Sequence, residues 1–338
     1  MKTLRILHVL TNIFISLFTY SQAKETGFKF QFPEIRSANS FYKSILLLDI
    51  RTDTSNLGIV QKGGFNRKEK VVPEIPLSGQ FNDLVNHLAD STSKSGELLL
   101  LLREFNFAEI TGAMSEKGYF HFRAILYAKA VNDYLQLQTL DTVVLVRAMD
   151  VTKKMFREAS KAVTEFIAGN LSKQPVRGMV LTQELLPKID SIEKSKLPLY
   201  SQTTLTEGIY KSFQSFVNQQ PDETGVSVSF YKDGKVKTIS FTNGKDRRQE
   251  IESRFTYAFV YEGKAYVSGD FSCYPLEKRD NDFYFIGKGK DAKGGDVAAA
   301  SFFFGIIGGL IASSANSVFE MKIDHLSGGF VRIKEIEK

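Results

Sequence analysis

Along residues 41–171 the apolar positions form two alternating patterns, short unbroken runs and stretches spaced at three and four. SILLLDIR (44–51) is an unbroken run closed by the turn-forming TDTSN, and it predicts a buried strand. LGIVQKGGF (57–65) adds a short strand ending at a glycine pair. In SGQFNDLVNHL, Phe81, Leu84, Val85 and Leu88 fall on one helical face, with Ser78 as the expected cap. GELLLLLREFNFAEI (96–110) is too continuously apolar for a half-exposed strand, so a central strand covered on both faces is expected. Strand-like patches follow to residue 150. Then Phe156, Ala159, Val163, Phe166 and Ile167 predict a second helix, ending at Gly169-Asn170. With the extended stretch 24–40 in front, residues 24–171 read as an α/β layer domain.

Proline and charge gather over 172–205, the expected linker. In LTEGIYKSFQSFVNQQP a short helix is predicted with Ile209, Phe213, Phe216 and Val217 along one side, stopped before Pro221. The period then changes to two. Asp233-Gly234 and Glu262-Gly263 mark hairpin turns, and DFYFIGKGK and VFEMKIDHLSGGFVRIKEI supply further strands. The expected fold class is therefore α+β: an α/β layer domain, then a β-rich domain over 206–338 with one short helix and a hydrophobic helical segment.

That segment, residues 297–319, runs twenty-three positions without a charge. Its length exceeds the roughly 20 residues that cross a hydrocarbon core, but its strongly apolar part, 298–312, is shorter. Gly305 and Gly309 form a G-x-x-x-G pair of the kind that lets membrane helices approach. Three readings stand: a buried element of the C-terminal module, a membrane-inserting or self-associating helix, and a span. A span would separate the following strands from those they are expected to pair with. Phe302, Phe303, Phe304, Ile306, Ile307, Leu310 and Ile311 are the candidate membrane or partner contacts.

Composition changes the picture mainly through compartment. MKTLR is a short cationic start, an apolar run follows, and Ser21-Gln22-Ala23 places small residues at a cleavage point, so 1–23 reads as a signal peptide. The expected location is beyond the inner membrane, periplasmic or associated with the outer membrane. The net charge of +6 falls to +4 without Lys2 and Arg5, well short of a nucleic-acid footprint. A single cysteine, Cys273, offers neither an internal disulfide nor a cysteine-based zinc site.

Chemistry-bearing motifs are few. Gly58 and Gly63 have phosphate-loop spacing, but Gly64-Phe65 stands where Lys-Ser/Thr is required. The stretch KGKDAKGGD (288–296) reads as a flexible loop with cations beside the apolar segment. His87, His121 and His325 have no metal-ligand spacing. Asp49, Arg51 and Asp53 alternate at the end of the first long strand and form a candidate polar site at a strand end. No cofactor is implied, and neither a catalytic residue nor a metal ligand is assigned.

GIYKSFQSFVNQQP (208–221), followed by the KDGKV hairpin, YEGKAYVS, FYFIG, a small-residue apolar run and KIDHLSGG, resembles a module of secreted gram-negative envelope proteins of unknown function. Gly208, Ile209, Tyr210, Phe213, Phe216 and Pro221 carry the likeness. It implies a compartment and no activity. At the level of fold, residues 41–171 look like the α/β domain of auxiliary lipoproteins of transport systems, though this chain has no lipid-attachment cysteine. The expected function is a non-catalytic accessory protein contacting another envelope protein or a lipid surface. A hydrolase with a site built from distant residues and a small-ligand carrier are the alternatives. The first would show a polar pocket with perturbed titratable groups, the second an apolar cavity.

Overall fold

A computed structural model describes residues 24–34, 36–37, 39–62, 67–111, 116–175, 180–242, 247–269, 272–288 and 318–336. The protein is α+β and rich in strand. Its first sheet has eight strands. Four come before the first helix: β1 (Glu25–Phe28), β2 (Tyr42–Asp49), β3 (Gly58–Lys62) and β4 (Arg67–Pro73). After α1 (Leu77–Leu88) the long strands β5 (Gly96–Thr111), β6 (Glu116–Lys129) and β7 (Asp133–Ala148) form an antiparallel meander. Then come α2 (Val151–Leu171) and the short β8 (Val180–Thr182), which closes the far edge against β7. One edge of β5 is shared by two parallel partners, β2 along its first half and β3 along its second.

The long apolar run is indeed a two-sided strand. Leu98, Leu100 and Leu102 face the core beneath α1 and α2, and Leu99 and Leu101 join Ile125 and Tyr127 on the opposite face. Both helices dock as their spacing predicts, with Phe81, Leu84, Val85 and Leu88 of α1 buried. Phe105 is edge-on to Phe28, Phe30, Phe81, Phe107, Phe120 and Phe122, which makes it a hub of this core.

The helix ends differ from the sequence expectation. Pro76, not Ser78, caps α1, and Ser78 lies in its first turn. The stabilising polar group there is Gln80, which accepts from the Phe30 N–H at 2.9 Å and donates to the carbonyls of Phe28 and Ile75. At the other end, Gly169 and Asn170 belong to the last turn of α2, because the Asn170 amide donates to the Phe166 carbonyl and keeps the helix wound to Leu171.

Residues 180–201, inside the expected linker, are built into the structure. After β8 come a 3-10 turn (Leu186–Lys188), α3 (Ile189–Ser195) and α4 (Pro198–Ser201). Leu181, Leu186 and Ile189 pack on the second face of the large sheet.

The C-terminal half begins with β9 (Gly208–Tyr210) and α5 (Phe213–Val217). Ile209, read as helical, is in a strand. It lies opposite Phe259 of a later strand, with β9 at the edge of that sheet, and the helix begins after Ser212, which caps it reciprocally with Ser215. A three-stranded sheet follows: β10 (Ser227–Phe230), β11 (Val236–Thr242) and β12 (Arg248–Ile251). Next, β13 (Ala258–Tyr261), β14 (Lys264–Ser268) and β15 (Cys273–Pro275) join β9. The Glu262-Gly263 turn is as expected, both residues at positive φ between the paired Tyr261 and Lys264. The last sheet is β16 (Glu277–Arg279), β17 (Asp282–Lys288), β18 (Val318–Ile323) and β19 (Phe330–Ile336).

β17 and β18 are antiparallel partners, and Lys288 stands opposite Val318. Both ends of residues 289–317 are therefore held at one end of one hairpin. Apart from its last two residues, the apolar segment 297–319, read as a buried element, a membrane-inserting helix or a span, lies outside the described residues. Among the described residues no helix is long and apolar enough to cross a membrane.

Candidate functional site: a charged belt between the halves

The second face of the large sheet, away from α1 and α2, changes character along its strands. At one end it is apolar, with Leu99, Leu101, Ile125 and Tyr127. At the other it is apolar again, around Ala108 and Tyr119. Between them lies a belt of charge. The pairing registers place Glu104 of β5, Arg123 of β6 and Asp141 of β7 in one row, and Asn106 opposite His121 beside it. A register shift between Leu102 and Glu104 accommodates Arg103 as an extra residue.

Charges buried this way need partners, and the partners come from α3 and from the turn between β18 and β19. Arg103 donates to Asp190 at 2.7 Å and to Glu193 at 2.8 Å. Arg123 donates to Asp141 at 2.8 Å and to Asp324 at 2.6 Å. His121 Nε2 meets Asp141 at 2.7 Å, and His325 Nε2 meets Glu193 at 3.0 Å. Lys194, one position beyond Glu193, pairs with Asp282 of β17 at 2.7 Å. Helical spacing explains why one short helix serves so many groups: Asp190 and Glu193 share a face one turn apart, with Lys194 beside them.

The belt pushes two carboxyls in opposite directions. Burial raises Glu104 above the usual range, more than the charges of His121 and Arg123 lower it. Burial also acts to raise Asp324, but the Arg123 charge, the Ser327 hydroxyl and the Leu326 N–H outweigh it and hold the carboxyl down at about 2. Burial and the Glu193 charge lift the Tyr127 phenol to about 12. Tyr200 is buried, and among the described residues its hydroxyl has no hydrogen-bond partner.

Asp190, Glu193 and His325 bring donor atoms within 4.8 Å of one another. A metal does not fit there, because the Arg103 guanidinium already bridges both carboxylates as the site's cation and a divalent ion would have to displace it.

The candidate strand-end residues do converge. Arg51 donates to Asp49 at 2.8 Å and to the Asn56 carbonyl at 2.9 Å, and Asp53 accepts from Ser55 and Asn56. Asn56 in turn accepts from the Gly58 N–H. These bonds tie the connection from β2 to β3 and take up the Arg51 guanidinium within residues 49–56. Burial raises the Asp53 carboxyl, and its Ser55 and Asn56 bonds with the Arg51 charge bring it below the usual range. The candidate contacts Phe302, Phe303, Phe304, Ile306, Ile307, Leu310 and Ile311 lie outside the described residues, as do residues 1–23, read from the sequence as a signal peptide, and the Gly63-Gly64 pair. Cys273 is a buried thiol that burial pushes up, with Ser268 Oγ 3.6 Å away.

The belt was not read from the sequence, yet a signal exists. Arg103 and Glu104 interrupt an apolar run, and His121 and Arg123 alternate with Phe120, Phe122 and Ala124. Charged residues at every second position of a strand buried on both faces must meet charge from another element. An open groove of about 1180 Å³ lies elsewhere, where the β10–β12 sheet, β14–β15 and the ends of β17 and β18 meet, lined by Tyr231, Glu250, Tyr266, Tyr274, Lys288 and Val318 among others and by none of the belt residues.

No family model matches the chain, and no curated protein matches it. Among solved structures, a Xanthomonas campestris protein of the family DUF330 aligns at 11% identity, over 43% of this chain and 96% of that one, with a TM-score of 0.28. A second, titled an uncharacterized protein, aligns at 10% identity over 45% and 97%, with a TM-score of 0.23. Likenesses this distant carry no argument about ancestry or activity.

Proposed function

We propose that the chain is a non-catalytic envelope protein, exported by its leader, that engages a lipid surface or another envelope component through the apolar segment beginning at residue 297. The observation that carries this reading is the register of β17 with β18. It holds Lys288 opposite Val318, so the charge-free stretch departs from and returns to the same end of a folded hairpin. A segment tethered at both ends can enter one leaflet or a partner's groove from one side. Phe302, Phe303, Phe304, Ile306, Ile307, Leu310 and Ile311 supply its apolar side chains, and the cationic KGKDAKGGD before it suits anionic head groups.

A hydrolase is the second reading. The observation favouring it is the opposed shift of Glu104 and Asp324, the pattern of an acid and base pair. Against it, Asp324 is tied to Arg123 and Ser327.

The test is membrane fractionation of cells expressing the full chain, with carbonate and detergent washes, beside a deletion of residues 297–315. Retention through carbonate, with release of a folded deletion variant, is the expected result. A soluble intact chain whose deletion unfolds makes the segment part of the core and overturns the lipid contact.

A further inference from the structure

One end of the large sheet carries charge of nearly a single sign. The registers align the strand ends there: Lys62 of β3 stands opposite Arg67 of β4, and Lys117 of β6 opposite Arg147 of β7. Lys68 takes the next position of β4, opposite Gln61. β5 and β6 meet at the same end, with Thr111 opposite Glu116. Burial raises the Glu109 carboxyl of β5 above its usual range, and the groups that act against it include the Gln61 N–H and the Lys62 charge, which brings the end of β3 beside β5. α2 starts here too, tied by the Val151 N–H to Glu116 and by the Thr152 hydroxyl to Glu109. Its first turn contains Lys153 and Lys154 and no acidic residue.

None of these arrangements favours the folded chain by itself. Like charges directly opposite each other in an antiparallel pair are destabilising, and cations at the start of a helix oppose its dipole. Among the described residues none of the seven cations forms a salt bridge. Arg67, Arg147, Lys153 and Lys154 are exposed, and Lys62, Lys68 and Lys117 are half-buried. Against them stand the carboxylates of Glu116 and Asp150, with Glu109 buried behind. The stretches GGFN (63–66) and GAMS (112–115) add no acid. Most of the chain's net charge of +6 is thus concentrated at one sheet end.

The cations lie on both faces of the sheet. Lys62 is two positions on from Val60, on the face that α2 covers, whereas Lys117 and Arg147 are two positions from Tyr119 and Leu145 on the other. A pocket would gather them on one side; a rim around a sheet end instead matches a broad plane of negative charge. Met149, 92% exposed between β7 and α2, places an apolar side chain at the tip of this rim, where it can enter a head-group layer.

We propose that this sheet end is an electrostatic docking surface for anionic lipid head groups, formed by the seven cations with Met149 at its tip. It uses none of residues 297–319 and is a contact additional to theirs. Lipid phosphates supply the countercharge that the chain lacks, and docking relieves the repulsion between Lys117 and Arg147.

Co-sedimentation of the full chain with phosphatidylcholine vesicles, with and without about one-third phosphatidylglycerol, tests this. The anionic lipid is expected to increase binding, and a rise from about 0.05 M to about 0.3 M salt to reverse the increase. Each cation near such a surface is worth about fivefold, so Lys117→Gln with Arg147→Gln should weaken binding to anionic vesicles about 25-fold. The same variant should melt slightly higher, because it loses a repulsion. Lys196→Gln with Lys264→Gln, both exposed elsewhere, should change neither. A folded chain lacking residues 297–315 should keep the increase with anionic lipid; its loss there overturns this proposal, while binding to neutral vesicles reports the apolar segment. Should that deletion not fold, the paired variants in the full chain decide. Equal binding to both vesicle types, undiminished binding by the Lys117 and Arg147 variant, or an equal loss in the control overturns the proposal. So does binding to polyglutamate without binding to anionic vesicles, which would assign the surface to an acidic protein.

Discussion

Arg123 and Asp324 stand 201 positions apart in the chain and 2.6 Å apart in space. Each belongs to a different half; Arg123 is also held by Asp141, and Asp324 also accepts from Ser327 and the Leu326 N–H, but the pair is a charge contact between the halves. Removing one partner leaves an uncompensated buried charge, whereas replacing both with apolar groups does not. Arg123→Leu is therefore expected to cost about 3 kcal/mol, and Arg123→Leu with Asp324→Leu clearly less than the two single changes added together. A double-mutant cycle from urea unfolding measures the difference. Strict additivity would mean that the pair is not energetically coupled.

The low Asp324 value makes a prediction for acid. Its folded value of about 2 lies below the ordinary 3.8, so the ionised form is favoured by folding. The resulting stability is present above about pH 4 and is lost as pH falls toward 2. The difference amounts to about 2 kcal/mol. Asp324→Asn should remove it at neutral pH and flatten that part of the acid limb, which thermal melts between pH 2 and 6 would follow. An unchanged acid limb in the variant refutes the assignment.

Gly328 closes the same turn with φ at +74°, and a Cβ built there would lie 2.2 Å from Phe213 Cγ. Its carbonyl also accepts the Tyr257 hydroxyl at 2.7 Å. Gly328→Ala meets both left-handed strain and overlap with a ring packed against the C-terminal core. A loss of about 2 kcal/mol or more is expected, read as a shift of the denaturation midpoint. Wild-type stability in the alanine variant would show that the ring moves aside freely.

Gln80 is buried and bonds three backbone groups, of which the Phe28 carbonyl also accepts from the Glu74 N–H. Gln80→Leu keeps the volume but removes the side-chain partner of the Phe30 N–H and of the Ile75 carbonyl, while the Phe28 carbonyl keeps the Glu74 N–H. About 2–3 kcal/mol is the expected cost, accompanied by faster exchange of the Phe30 amide. Slow exchange retained there would mean that another acceptor takes over.

Phe105→Ala empties the centre of the aromatic cluster around β5 and β6. Such truncations cost about 3–5 kcal/mol. The loss should appear in the N-terminal half alone, because no apolar cluster of described residues is shared with the C-terminal half. Near-ultraviolet circular dichroism with tyrosine probes in each half separates the two transitions. A single coincident loss of both would contradict independent cores.

Elements whose signal is local were legible in the residues alone. Leu98 to Leu102 read as a strand covered on two faces, the spacing of Phe81, Leu84, Val85 and Leu88 placed them on one face of a helix, and Glu262-Gly263 marked a hairpin turn. In each case the deciding interaction lies within a few residues, so periodicity and turn chemistry were enough. Tertiary structure decided the rest. Ile209 fits a helical stripe, but pairing with Phe259 makes it a strand residue. Residues 180–201 carry the proline and charge of a connector, yet Leu181, Leu186 and Ile189 cover a sheet face and Glu193 and Lys194 reach across to the other half. The row of Glu104, Arg123 and Asp141 depends on strand registers, and its completion by Asp324 depends on a turn formed nearly at the end of the chain. A charge in a sequence carries its sign but not its partner, and pairing across 201 residues is fixed only when two separately folded cores meet.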